Sequence, residues 1–162
     1  MATLSVVIIA KNEERTIVRV INAVRDIADE IILVDSGSED RTKEIAGELG
    51  AKVSHQDWLG YAAQKNYALD LASSDWILSL DADEIMTPGA VAEVRAIIAA
   101  PKEEKLAGYR IPRLLFIGEK PVRHGGFFPD AQLRLIKNGA GKFRERKVHE
   151  RIFVDGPVGD LT

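Results

Sequence analysis

Apolar positions in the first hundred residues follow two alternating patterns. Residues 4–9, 30–35, 51–55 and 75–80 are short β-branched runs that read as buried strands. Between them the spacing turns helical. Ile17, Val20, Ile21 and Val24 repeat at i, i+3, i+4 and i+7, which marks one face of a helix. Asp40 is placed to cap a second helix that runs to Leu49, with Gly50 at the left-handed stop position. A third helix is expected over 61–72. Thr87-Pro88 opens a fourth, with Thr as cap and Pro at the first helical position.

Strands separated by helical patterns of this length predict right-handed βαβ units and a mostly parallel, doubly wound sheet with helices on both faces. Ligands of such sheets bind beyond the carboxyl ends of the strands. Three polar clusters fall there: Lys11-Asn12-Glu13, Asp35-Ser36-Gly37-Ser38 and Asp81-Ala82-Asp83.

After Pro101 no helical pattern appears. Residues 108–117 and 131–136 read as strands, and 143–154 as one or two more. The whole is read as one α/β domain, with 1–100 its parallel α/β half and 101–162 an added mixed β half. The last eight residues are turn-rich. They are expected to pack against nothing, as in a chain cut at a loop of a longer protein.

Composition narrows the chemistry. The 162 residues are 46% hydrophobic, enough for a core and against disorder, and contain no cysteine. Thiol nucleophiles, disulfides and Cys-ligated zinc are therefore excluded, and any metal must sit on oxygen or imidazole. The longest uncharged stretch, residues 1–10, is far short of the ~18 needed for a bilayer span. No basic n-region precedes it, so it is not read as a signal peptide either. These features point to a cytoplasmic protein. Charge is uneven: residues 1–100 carry 9 Lys and Arg against 17 Asp and Glu, whereas 101–151 carry 13 against 6. The acidic part suits a metal ion, and the basic part suits an anionic partner or simply a solvated face. Nucleic acid is disfavoured, because aromatics do not interleave the basic residues.

Asp81-Ala82-Asp83 is the sharpest feature. Two carboxylates one residue apart at a strand end can share Mg²⁺ or Mn²⁺ with a diphosphate, since Mg²⁺ takes one or two protein carboxylates and completes its shell with phosphate oxygens. Aspartyl phosphotransferases also carry Asp-x-Asp, but after the first strand and with Thr or Val where this chain has Ile85. Asp35 suits either a hydrogen bond to a base or ribose, or a turn. Asn12-Glu13-Glu14 suits either a ligand loop or a helix start. No Walker or dinucleotide glycine motif is present, so phosphates must be met by Lys65, by arginines or by a metal. Asp130, beside Phe127-Phe128-Pro129, is either a partly desolvated general base or a turn residue. His149 is either a metal ligand or structural. Trp58 and Trp76 read as core, although Trp58, Leu59 and Tyr61 could form a platform.

The ordered strings Ser5-Val6-Val7-Ile8-Ile9-Ala10-Lys11-Asn12-Glu13-Glu14, Ile32-Leu33-Val34-Asp35-Ser36-Gly37-Ser38 and Leu78-Ser79-Leu80-Asp81-Ala82-Asp83-Glu84 resemble glycosyltransferase family 2, inverting enzymes of GT-A fold. Gln64-Lys65-Asn66-Tyr67-Ala68-Leu69, Phe128-Pro129-Asp130-Ala131-Gln132-Leu133-Arg134 and Val148-His149-Glu150 resemble the branch that adds glucose to the lipopolysaccharide inner core. The resemblance implies that Ala10, Asn12 and Glu13 form the first nucleotide-binding loop and that Asp35 bonds the uracil ring. It makes 1–100 the nucleotide-sugar-binding half and 101–162 the acceptor-side half, and it implies Lys65 near the nucleotide and Asp81 facing ribose and metal. It further implies Asp83 as principal ligand of Mg²⁺ or Mn²⁺, His149 as a late metal ligand, and Asp130 as catalytic base. Pro129 departs from the Glu that much of the family places before the base. The implied partners are a UDP-sugar donor and a phosphorylated or anionic glycolipid acceptor, with peripheral contact at the inner face of the cytoplasmic membrane. A nucleotide-sugar-binding module without turnover is the competing expectation. A sugar-phosphate nucleotidyltransferase would need a Gly-rich basic loop after the first strand, and Ala10-Lys11-Asn12-Glu13 is not one.

Overall fold

The computed structural model describes residues 2–100, 106–112, 116–117, 131–144, 151–154 and 156–161. Four strands, β1 (Leu4–Ala10), β2 (Glu30–Asp35), β3 (Lys52–His55) and β4 (Trp76–Asp81), lie parallel in the order β4-β1-β2-β3. They are joined by α1 (Ile17–Val24), α2 (Thr42–Glu48) and α3 (Tyr61–Leu71).

Both faces of β1 are covered, which is why its sequence is a continuous apolar run. Leu4, Val6, Ile8 and Ala10 share one core with Ile17, Val20, Ile21 and Val24 of α1 and with Ala46 of α2. Ala90 and Val94 of α4 (Pro88–Ala99) join that core. Val7 points the other way, into a second core with Ile32, Val34 and Ile77, and with Ala62, Ala68 and Leu69 of α3. The four α1 residues are fully buried, each stabilising the fold by about 1.5–3 kcal/mol relative to exposure.

The sheet continues past β4 with reversed direction. β8 (Ala131–Lys137) is antiparallel to β4, β6 (Gly108–Pro112) is antiparallel to β8, and β11 (Val158–Asp160) is parallel to β6 at the far edge. Two ribbons complete the described chain. β5 (Ile85–Met86) pairs with β7 (Phe116–Ile117), and β9 (Gly141–Arg144) pairs with β10 (Arg151–Val154). Gly108 is needed where β6 crosses β8, since a Cβ there would lie 3.0 Å from the Leu135 carbonyl oxygen.

Three expectations change. The strand foreseen over 108–117 is two separate pieces: β6 ends at Pro112, which has no N–H to extend a ladder, and Phe116–Ile117 pairs elsewhere. The final residues do pack. Val158–Asp160 forms an edge strand, and Leu161 is buried in the first core. α2 starts at Thr42, with Asp40 two residues ahead, accepting the Thr42 N–H at 2.9 Å. The other helix signals hold: Gly50 has φ +95°, and the Thr87 hydroxyl accepts the Ala90 N–H at 3.2 Å. Among the described residues no helix is long and apolar enough to cross a membrane.

Candidate active site

The parallel register brings the polar strand ends together. Ala10 pairs with Asp35, Ile9 with Asp81, and Asp35 with His55, so the turns after β1, β2, β3 and β4 share one rim.

Hydrogen bonds stitch the first two turns to each other. The Asn12 N–H donates to the Ser38 hydroxyl at 2.8 Å, and Asn12 Oδ1 accepts the Glu39 N–H at 2.8 Å. Asn12 makes both bonds from a left-handed backbone, φ 55°, which Asn tolerates better than most residues. Ser38 in turn donates its hydroxyl to Asp35 Oδ1 at 2.5 Å, while Asp35 Oδ2 accepts the N–H groups of Gly37 and Ser38 at 2.9 and 2.8 Å. The Glu13 N–H meets the Thr42 hydroxyl at 2.8 Å. Asp35 is thus fully buried and holds the turn, and its neighbour Ser36 faces the open space.

At the other end, Asp81 carries two cationic neighbours. Lys65 Nζ is 3.1 Å from its Oδ1 and Arg134 Nη2 is 3.8 Å from its Oδ2. Lys65 is 3% exposed, and its ammonium sits 5.1 Å from the centre of the Phe143 ring. Lys65 therefore acts on Asp81 from beneath the surface. Glu84 closes the turn, accepting the Asp81 N–H at 2.8 Å and pairing with Arg134 at 3.2 Å. Burial pushes the Glu84 carboxyl above its ordinary range; the Asp81 charge adds to that, and Arg134 opposes it without cancelling it. From α1, the Thr16 hydroxyl donates to the Ala82 carbonyl at 2.7 Å. Asp83 is the carboxylate of this turn that stands out into solvent.

A cavity of about 560 Å³ joins the two ends. Ile9, Ala10, Lys11 and Glu13 form its wall at β1, Ser36 at β2, and Asp81, Ala82 and Asp83 at β4. Trp58, Tyr61 and Gln64 close the β3–α3 side. Trp58 and Tyr61 are half exposed and meet edge to face, centroids 4.8 Å apart at 88°, whereas Trp76 is core as expected.

Of the residues singled out from sequence, Ala10, Glu13, Asp81 and Asp83 line this space. Asn12, Asp35 and Lys65 are not among its lining residues: Asp35 and Lys65 are buried beside it, and Asn12 is exposed. Asp130 and His149 lie outside the described residues. Sequence reading gave no site role to Gln64, Glu84, Arg134 or Thr16. The signal for Gln64 was present: with Lys65 it is a polar residue on the helix face that also carries Ala62, Ala68 and Leu69.

Among the described residues no three His, Asp or Glu groups form a cage for a metal. The donor set still suits Mg²⁺ or Mn²⁺. One exposed carboxylate, beside a second already balanced by cations, leaves most of the coordination shell for phosphate and water oxygens.

Residues 5–149 match the family model described as Glycosyl transferase family 2. The chain belongs to this family. It is 43% identical over 126 residues to an uncharacterized glycosyltransferase of Rickettsia bellii, covering 78% of this chain and 42% of that protein. It is 33% identical over 169 residues to the lipopolysaccharide core biosynthesis glycosyltransferase LpsC of Rhizobium meliloti, covering 97% of this chain and 59% of LpsC. The fold is GT-A. It matches glucosyl-3-phosphoglycerate synthase of Mycobacterium tuberculosis, solved with Mn²⁺, UDP-glucose and phosphoglyceric acid, at TM-score 0.56 and 27% identity over 68% of this chain and 43% of that one. This chain therefore spans about half the length of the relatives it matches.

Proposed function

We propose that the protein is a metal-dependent inverting glycosyltransferase that moves a hexose, glucose, from a UDP-sugar to a phosphorylated or anionic glycolipid acceptor of the lipopolysaccharide-core type. The observation that carries this reading is the cavity at the strand ends, where exposed Asp83 stands next to a cation-held Asp81. The UDP-glucose and Mn²⁺ in the mycobacterial neighbour support the donor and metal, and the likeness to LpsC supports the acceptor class.

In this reading Asp83 holds Mg²⁺ or Mn²⁺, joined by His149, and the metal when bound supplies Lewis-acid stabilisation of the departing diphosphate. Asp81 faces the ribose, oriented by Lys65 and Arg134. Ala10, Glu13 and the Asn12 turn shape the nucleotide wall, and Asp35 supports the base end through the turn that presents Ser36. Lys11 brings a positive charge to the same wall. The acceptor hydroxyl attacks the anomeric carbon from the face opposite the nucleotide and gives its proton to Asp130. The bond from that carbon to the diphosphate oxygen breaks, so one displacement inverts the centre. The basic segment 101–151 receives the acceptor's negative charge, and it can hold the protein against an anionic leaflet from the cytoplasmic side.

Calorimetric titration of UDP with and without Mn²⁺ tests this reading. Asp83→Ala is expected to abolish the Mn²⁺-dependent part of binding, and unchanged affinity would remove Asp83 as the metal ligand. Absence of UDP binding to the wild-type chain would overturn the nucleotide site itself.

A further inference from the structure

Among the described residues the ribbon β9–β10 has no ladder to the seven-stranded sheet, and a two-stranded hairpin by itself is marginal in water. Asn66 of α3 fastens it to the helix. Its Nδ2 donates to the Phe143 carbonyl at 2.9 Å, and the Phe143 N–H donates to its Oδ1 at 2.7 Å. We propose that Asn66 and Phe143 are positioning residues for the donor: Asn66 fixes Phe143, and the Phe143 ring holds the Lys65 ammonium on Asp81. The assignment rests on the reading above in which Asp81 faces the nucleotide-sugar.

Backbone geometry explains the clamp. Along one strand of an antiparallel pair, alternate residues turn both backbone groups toward the partner or both away. Phe143 stands opposite Ile152 and turns both away, toward α3. A carboxamide meets both, since it carries a donor and an acceptor side by side. Asn66 thus takes the place of a third strand at one residue.

Packing alone does not call for such a clamp. Ala62, Ala68 and Leu69 of α3 share the second core with Phe143 and already supply apolar contact. Apolar contact is non-directional, whereas two hydrogen bonds to one residue define where its ring lies.

The ring lies against a charge. Lys65 is the neighbour of Asn66 on α3, and a buried ammonium is costly unless its charge is met. Asp81 Oδ1 meets it at 3.1 Å, and the face of the Phe143 ring lies 5.1 Å away. That face attracts the ammonium and fills space that water would otherwise enter. With water kept out, the attraction between Lys65 and Asp81 is stronger than it would be in solution. Asp81 in turn lines the cavity. Contact therefore runs from Asn66 to Phe143, to Lys65, to Asp81 and into the open site.

Calorimetry with UDP and Mn²⁺, read beside NMR of the full chain, tests the proposal. Protons held over an aromatic face resonate upfield of their usual position, so the Lys65 Cε methylene reports where the ammonium lies. Asn66→Ala is expected to weaken UDP binding about fivefold to thirtyfold and to move that resonance toward the position of a solvated lysine. Phe143→Leu keeps an apolar side chain and both backbone bonds to Asn66 but removes the ring face. It should have the same two effects, which covers the case in which Asn66→Ala does not fold. Weaker UDP binding with an unmoved Lys65 resonance overturns the proposal, because the effect then bypasses the ammonium. A moved resonance with unchanged affinity overturns it too, as does tighter binding, in which the released ammonium meets the diphosphate itself. Unchanged affinity in both variants removes this inference alone, whereas failure of the wild-type chain to bind UDP removes the nucleotide-sugar reading with it.

Discussion

Arg134 Nη2 lies 3.2 Å from Glu84 Oε2, so an antiparallel strand added beyond the four parallel ones fixes the turn that presents Asp83. Both side chains are largely buried, at 8% and 13% exposure, and the same guanidinium nitrogen reaches Asp81. Replacing Arg134 by Met strands a buried carboxylate, which costs about 3–5 kcal/mol when a buried pair loses one member. Urea denaturation is expected to show a loss of that size for Arg134→Met and a smaller one for Arg134→Lys. A loss below about 1 kcal/mol for Arg134→Met would mean that the pair is solvated.

The two aspartates of the acidic turn should separate in experiment. Asp81→Asn removes a carboxylate from a buried ammonium and a buried guanidinium, and should lower stability by about 1–3 kcal/mol. Asp83→Ala changes an exposed side chain and should stay within about 0.5 kcal/mol of wild type. Denaturation midpoints for the pair, read beside Mn²⁺-dependent UDP binding, distinguish a support from a ligand. Equal destabilisation by both would contradict the division.

The division itself was only half legible in the sequence. Asp81-Ala82-Asp83 stood out because two acids follow an apolar strand, and the parallel order of β1, β2 and β4 follows from the helices between them. Which acid is held and which is exposed depends on Lys65 and Arg134. These arrive from α3 and from β8, 16 and 53 residues away from Asp81 in the chain. Spacing along the chain carries no trace of such pairings. Asp35 shows the same limit: turn and ligand roles use the same residue type, and only the bonds from Gly37 and Ser38 show what the carboxylate does in the folded chain. The terminal segment misled for a different reason. Val158–Asp160 is too short and glycine-interrupted to show strand alternation, and it is a strand because β6 offers it an open edge.

Glu30 should dominate one part of the acid response. Burial alone would raise its carboxyl from 4.5, but bonds from the Ser5 hydroxyl, the Ser73 hydroxyl and N–H, and Lys52 outweigh burial and bring it to about 2. A folded value below the unfolded one means stability that is complete above about pH 5 and lost as pH falls through 4.5 toward 2. The side chain is 8% exposed, so the contribution is on the order of 2–3 kcal/mol. Stability measured across this window should fall less steeply in Glu30→Gln than in wild type. Parallel curves would show that these bonds do not depend on the charge.

Asn12 and Ser38 carry the last prediction, because strain and bonding oppose each other there. Ser38→Ala removes both the donor to Asp35 Oδ1 and the acceptor of the Asn12 N–H, leaving two polar groups short of a partner at a cost of about 1–3 kcal/mol. At Asn12 the outcome depends on the replacement. Asn12→Gly relieves the φ of 55° but loses the bond to the Glu39 N–H, so gains and losses of about 1 kcal/mol each nearly cancel. Asn12→Ala loses the bond and keeps the strained backbone, so it should be the less stable of the two. If the stitched turns shape the base end of the cavity, Ser38→Ala should also weaken UDP more than pyrophosphate. Asn12→Ala more stable than Asn12→Gly would mean that the left-handed backbone at this corner costs nothing.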